Sequence, residues 1–266
     1  HCSSAASLGV ATSPVFASVP APAAALPAAS PPTQSQPDNG GRSCDPVILH
    51  STARGEMPQA ATADALIAAC KSGDARSAAR ILRRDGSLAN NCADSDGCSP
   101  LNWASFNGHE SVVRLLLKNG ATIDSADSTG WTPLWVACQK GQDATVRLLL
   151  EKGASVNHAA NNGATPLFIA CQGGHESTAR LLLGNGATVD LAMNDGSNPL
   201  LIACHNGHET TVRVLLDNGA SVNHENNSGG GTLSIACEKG HESTARLLLD
   251  NGASVNLVDN NGRTSM

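Results

Sequence analysis

Four His-Glu pairs, His109-Glu110, His175-Glu176, His208-Glu209 and His241-Glu242, are the residues of this sequence that look most capable of chemistry. On a helix, His-Glu is half of a zinc-protease motif, which needs a second histidine one turn further on to close on the metal. The positions four residues after each histidine hold Val113, Ala179, Val212 and Ala245, so none of the pairs completes a site. His205 and His208 bracket a glycine expected to break a helix, and no third ligand follows nearby. A column of cysteines, Cys138, Cys171, Cys204 and Cys237, with Cys70 at the matching earlier place, lacks the close Cys-x-x-Cys spacing of a zinc site. Stacked helices lie about 8–10 Å apart, beyond the roughly 7 Å between Cα atoms that a disulfide spans. The column is therefore expected to pack as small buried hydrophobes.

The acids have partners at helical spacing. Glu110–Arg114, Asp143–Arg147, Glu176–Arg180, Glu209–Arg213 and Glu242–Arg246 are all acid-before-base pairs four apart, which stabilise exposed helices by a few tenths of a kcal/mol each. There is no phosphate-binding Gly-rich loop, no nucleophile elbow and no carboxylate pair outside these ladders, so neither catalysis nor a cofactor is expected. The net charge of −6 and the 2% aromatic content argue against a nucleic-acid footprint. No apolar run is long enough to span a bilayer. Nine cysteines without a disulfide framework point to a reducing compartment, cytoplasm or nucleus.

The elements that position these residues recur. The stretch 127–159, DSTGWTPLWVACQKGQDATVRLLLEKGASVNHA, has counterparts at 94–126, 160–192, 193–225 and 226–258, and Gly97, Gly130, Gly163, Gly196, Gly229 and Gly262 keep one register. Such a period means modules that bury their cores only against neighbours and present a long surface without an enclosed pocket. In four copies a capping residue precedes proline: Ser99-Pro100, Thr132-Pro133, Thr165-Pro166 and Asn198-Pro199. That is an N-cap with proline at the first helical position. A short apolar helix follows and stops at glycine, then a Val-x-Arg-Leu-Leu-Leu-type helix runs to a second glycine, and a β-like Ala-Ser-Val-Asn stretch leads to the next turn. The predicted fold is an all-α repeat solenoid with short β-hairpin loops.

This set resembles the ankyrin repeat family: Thr-Pro-Leu-x-x-Ala, Gly-His between the helices, the leucine-rich second helix and the Gly-Ala-x-Val-Asn exit, together at one period. The resemblance covers about 94–258, with a degenerate capping copy at 61–93 rich in arginine (Arg76, Arg80, Arg83, Arg84) and a partial copy at 259–266. The sequence departs from the family where a histidine usually follows Thr-Pro-Leu. Asn102, Trp135, Phe168, Leu201 and Ser234 stand there, which puts the histidine's usual hydrogen-bond network in question. The fifth copy is the weakest, with Gly230-Gly-Thr232 in place of the cap and proline, and 226–266 is expected to fray or to continue into further sequence. Residues 1–60 hold nine of the thirteen prolines and no Asp, Glu, Lys or Arg before Asp38, so disorder is predicted for them. The absent initial Met and the ending inside a hairpin suggest a fragment.

In arrays of this family, partners contact hairpin tips and the exposed face of the first helix. Positions where the copies disagree locate such a surface here: Phe106-Asn107, Gln139-Lys140, Gln172-Gly173, His205-Asn206 and Glu238-Lys239 after the cysteine column, and Cys98, Trp131, Ala164, Ser197 and Gly230 at the tips. Trp103 aligns with Val136 and Ile169 and is expected in the core, Phe106 and Trp131 are expected at the surface, and Trp135 and Phe168 are open to either. The candidate partner-binding set is Phe106, Asn107, Trp131, Trp135, Gln139, Lys140, Phe168, Gln172, His205 and Asn206. The resemblance also implies that Asn157, Asn223 and Asn256 are possible substrates of an asparaginyl hydroxylase. The leading expectation is a monomeric, non-enzymatic scaffold that binds a protein, with no nucleic acid and no membrane; the alternative is the recognition module of a larger regulatory enzyme, a ubiquitin ligase or kinase.

Overall fold

The computed structural model describes residues 59–256. The predictions of disorder over 1–60 and of a partial copy at 259–266 fall, but for residues 59 and 60, outside them. The described residues all fall within one compact unit. Thirteen helices follow among the described residues. The degenerate capping copy supplies α1 (Gln59–Ser72), α2 (Ala75–Arg84) and α3 (Leu88–Asn91). The later copies supply pairs: α4 (Pro100–Phe106) and α5 (Glu110–Lys118), α6 (Pro133–Gln139) and α7 (Asp143–Glu151), α8 (Pro166–Gln172) and α9 (Glu176–Gly184), α10 (Pro199–Asn206) and α11 (Glu209–Asp217), α12 (Thr232–Glu238) and α13 (Glu242–Asp250).

The first helices start where the capping pairs predict. Ser99, Thr132, Thr165 and Asn198 are extended and accept the N–H of the residue three positions on, with proline at the next position. In the fifth copy Gly231 occupies the N-cap with no side-chain bond. The second helices begin differently. Their N-cap residues are His109, Gln142, His175, His208 and His241, and none caps with its side chain. An acid at the next position, Glu110 or its equivalent, offsets the loss by facing the positive end of the helix dipole.

Each first helix packs on its own second helix and on the first helices before and after it, and the second helices pack among themselves likewise. The result is two layers. The core between them is lined by Leu134, Ala137, Cys138, Val146 and Leu149, all fully buried, and by the corresponding residues of the other copies, of which Cys237 and Ala245 in the fifth are more open. The β-hairpin expectation is modified: the links between repeats are turns, and among the described residues the ladder pairing is one isolated bridge, Glu225 to Gly231. Their tips still join. The N–H of Asn161, Asn194 and Asn227 donates to Thr129, Asn162 and Asp195 of the preceding turn, and the three amide side chains donate to Ser128, Asn161 and Asn194. This close approach requires glycine. At Gly163 φ is +88°, and a Cβ would lie 2.9 Å from the backbone nitrogen of Asn194.

Candidate functional site

The ends of the first helices form the outer edge of one layer, and the following repeat holds them in place. His109 Nε2 lies 3.2 Å from the carbonyl oxygen of Lys71, His175 Nε2 3.1 Å from that of Gln139, His208 Nε2 3.1 Å from that of Gln172, and His241 Nε2 3.0 Å from that of His205. Gln142 Nε2 donates to the carbonyl of Phe106 at 3.4 Å in the same way. A carbonyl only accepts, so Nε2 carries the proton in each histidine. These side chains leave their own helix uncapped because they staple the repeat before. Gly174 shows how tight the fit is: a Cβ there would come 2.6 Å from His208 Nδ1. The half-zincin histidines are thus positioning residues, a role legible only as a fixed His-or-Gln column after glycine.

Along this edge the capping copy and the first two full copies carry a strip of two aromatics flanked by cations. Lys71 Nζ stands 3.9 Å from the Trp103 ring centre and 3.8 Å from Asp94 Oδ2. Trp103 Nε1 donates to Asp94 Oδ2 at 2.7 Å, which fixes the indole. Phe106 meets Trp103 edge-on at 6.0 Å and 78°, and Lys140 Nζ lies 4.7 Å over the Phe106 ring. Phe106, Asn107 and Gln139 are half-buried and Lys140 is exposed. Further along the edge becomes polar. Asn206 donates to the Gln172 carbonyl at 3.0 Å and its Oδ1 lies 2.9 Å from His205 Nδ1, while Gln172, His205 and Asn206 are half-buried. Burial holds His205 below the ordinary histidine range.

Four residues of the tip column do not reach the surface, and only Gly230 is half-buried. Trp131 retains only 7% exposure, so the expectation of an exposed anchor there is corrected; Trp135 and Phe168, which could have been either, are also buried, and Trp103 is in the core as expected. Cys98, Ala164 and Ser197 of the same column are buried too. For Trp131 the reason is a contact with the residue in the substituted histidine position of its own copy. Trp131 stacks on Trp135 at 4.5 Å with planes 5° apart. That same position reaches forward to the next tip: Asn102 Nδ2 donates to the Trp131 carbonyl at 2.8 Å and Trp135 Nε1 to the Ala164 carbonyl at 3.0 Å. Asparagine and tryptophan thus supply donors between copies, where Phe168 and Leu201 have none.

Two ladders are modified. Glu110, Glu176, Glu209 and Glu242 form their ion pairs, but Asp143 instead accepts from the Ser177 and Thr178 hydroxyls of the next copy. Cys70, Cys138, Cys171 and Cys204 are buried as expected, with thiol pKa values raised by desolvation, to about 12 for Cys70 and Cys204, whereas Cys237 is exposed. The buried position requires a following helix, and α12 has none against its far side among the described residues. The amides of Asn157 and Asn223 accept the backbone N–H of Thr188 and Ser254, so both serve as links between copies. No group of three or more metal-ligating side chains occurs among the described residues, nor any helix long and apolar enough to cross a membrane.

A family model described as ankyrin repeats in three copies matches residues 48–127, 66–160, 122–193, 156–226 and 185–259. The chain belongs to the ankyrin repeat family, whose arrays generally serve as protein–protein interaction modules. Among solved structures, 575 chains match. One is the crystal structure of the human ASB11 ankyrin repeat domain, 28% identical, with a TM-score of 0.69 over 75% of this chain and 89% of that one. No curated protein matches the chain.

Proposed function

We propose that this chain is a non-enzymatic scaffold that binds a protein partner along the ends of its first helices, with the anchoring contacts in the capping copy and the first two full copies. The observation that carries the reading is the Lys71–Trp103–Phe106–Lys140 strip, where cations lie over aromatic faces at a partly open edge. A half-buried aromatic ring with a preformed charged rim resembles the anchors that dominate protein interfaces. Asn107, Gln139, Gln172, His205 and Asn206 extend the edge with hydrogen-bonding groups, and the histidine staples fix the backbone at Gln139, Gln172 and His205. Trp131, Trp135 and Phe168 support that edge from inside the core. Proximity labelling with the chain as bait, compared with Phe106→Ala and Lys140→Ala, tests the reading. Both variants retain native circular dichroism and lose the same specific neighbours; an unchanged set of neighbours in both would sink it.

A further inference from the structure

The outer face of the second-helix layer carries a graded charge along the array. On α2 and its flanking residues, Arg76, Arg80, Arg83 and Arg84 outweigh Asp74 and Asp85. On α5, Arg114 and Lys118 outweigh Glu110. On α7 with its C-cap, Arg147 and Lys152 balance Asp143 and Glu151, and on α9 Arg180 balances Glu176. On α11 and α13 the acids are in excess, through Asp217 and Asp250. The column at the helix ends shows the trend in one line. Aligning buried Ala78 and Ile81 with Val113 and Leu116 puts Arg83, Lys118, Glu151, Gly184, Asp217 and Asp250 in register.

Simpler explanations account for part of this pattern and fail on the rest. Cations in a last helical turn complement the helix dipole, but Glu151, Asp217 and Asp250 occupy the same turn with the opposite sign. A terminal copy must be polar, but polarity does not require a single sign of charge, and Lys118 and Lys152 belong to interior copies. Arg76, Arg80, Arg83 and Arg84 are all exposed, and none forms an ion pair among the described residues. Next to them, α5 packs on α2, and Arg114, Lys118 and Lys152 line an open cleft together with Leu117 and no acid. A chain with net charge −6 thus concentrates exposed cations on one face of its first copies, and of these Arg114 alone is ion-paired among the described residues, with Glu110.

We infer that this basic ridge of α2, α5 and the end of α7 is a second docking surface, separate from the edge of the first helices, for an acidic Asp/Glu-rich segment of a protein partner. The exposed arginines provide forked donors for carboxylates, and Leu117 in the cleft provides an apolar contact between them. The acidic excess on α11 and α13 repels the same segment, so it fixes where along the array the segment lies.

Fluorescence anisotropy with the full chain and a labelled oligoglutamate peptide at low ionic strength tests the inference. The expected result is saturable binding that weakens with salt and drops about tenfold or more in Arg83→Gln/Arg84→Gln/Lys118→Gln/Lys152→Gln. Arg180→Gln/Arg213→Gln, which removes two cations from the neutral and acidic copies, leaves binding unchanged, and circular dichroism confirms folding of both variants. Equal binding by the wild type and the fourfold variant overturns the inference, as does tighter binding of a single-stranded oligonucleotide lost in the same variant. Concentration-dependent self-association abolished by both Arg83→Gln and Asp250→Asn would overturn it in favour of a second copy.

Discussion

The second and fifth copies follow one plan and differ in what stands on their far side. In the second, Thr132 caps α6, Trp131 and Trp135 stack, Trp135 donates to the next tip, and Cys138 is fully buried. In the fifth, Gly231 caps nothing, Ser234 stands in place of Trp135, Cys237 is exposed, and the space beside Gly240 is open. At Gly141 that space is filled by His175 of the following copy. The burial of a position thus depends on the neighbouring copy as much as on the residue itself, as expected of a quasi-one-dimensional array.

Thiol reactivity gives the largest contrast. Desolvation raises the Cys138 thiol well above its ordinary range, and its labelling must wait for an opening of the array. Cys237 is accessible in the native state, so iodoacetamide labelling resolved by peptide mass spectrometry should run faster there by on the order of a thousandfold. Equal rates would erase the distinction between the two copies. In free energy, Trp135→Ala carries the largest cost, about 3–5 kcal/mol, from the cavity and the severed contact to Ala164. Ser234→Ala at the same place in the fifth copy should stay within about 0.5 kcal/mol, both measured by urea denaturation.

The caps sharpen the comparison further. Thr132→Ala removes the bond to the Trp135 N–H and should cost about 1 kcal/mol. The reverse change, Gly231→Ser, should add only a few tenths of a kcal/mol, because glycine is already a tolerable N-cap. Hydrogen exchange at the amides of α6 and α12 reads both, and a gain at Gly231 as large as the loss at Thr132 would contradict the assignment.

The repeat, its caps and the buried cysteine column were legible because local rules govern them: proline after a capping residue, glycine at each helix end, apolar spacing between. The tip column was misread on the premise that a position free to vary is free of packing. Trp131 shows otherwise, since it stacks on Trp135 of the same copy inside the array. The histidine staples were visible as residues and not as a function, because their acceptors, such as the carbonyls of Gln139 and Gln172, lie 36 positions earlier and are backbone atoms that no side-chain pattern marks. Asp143 also escaped its expected pairing. Its helical spacing to Arg147 is that of the glutamates, but hydroxyls at Ser177 and Thr178 in the next copy compete for the carboxylate.

The smallest expected effect concerns His205, which only the fourth copy places at the edge. Asn206, the charged pair Lys239 and Glu238, and His241 surround it, and burial is the largest influence on its titration. Because its folded pKa lies below the ordinary value of 6.5, the unfolded chain takes up its proton first as pH falls. Its neutral form therefore supports the fold fully above that range and progressively less as pH drops through it. Comparing urea midpoints of wild type and His205→Gln across that interval isolates the contribution. The wild type should lose stability relative to the variant on acidification. A relative gain would mean that Glu238, and not burial, governs this site.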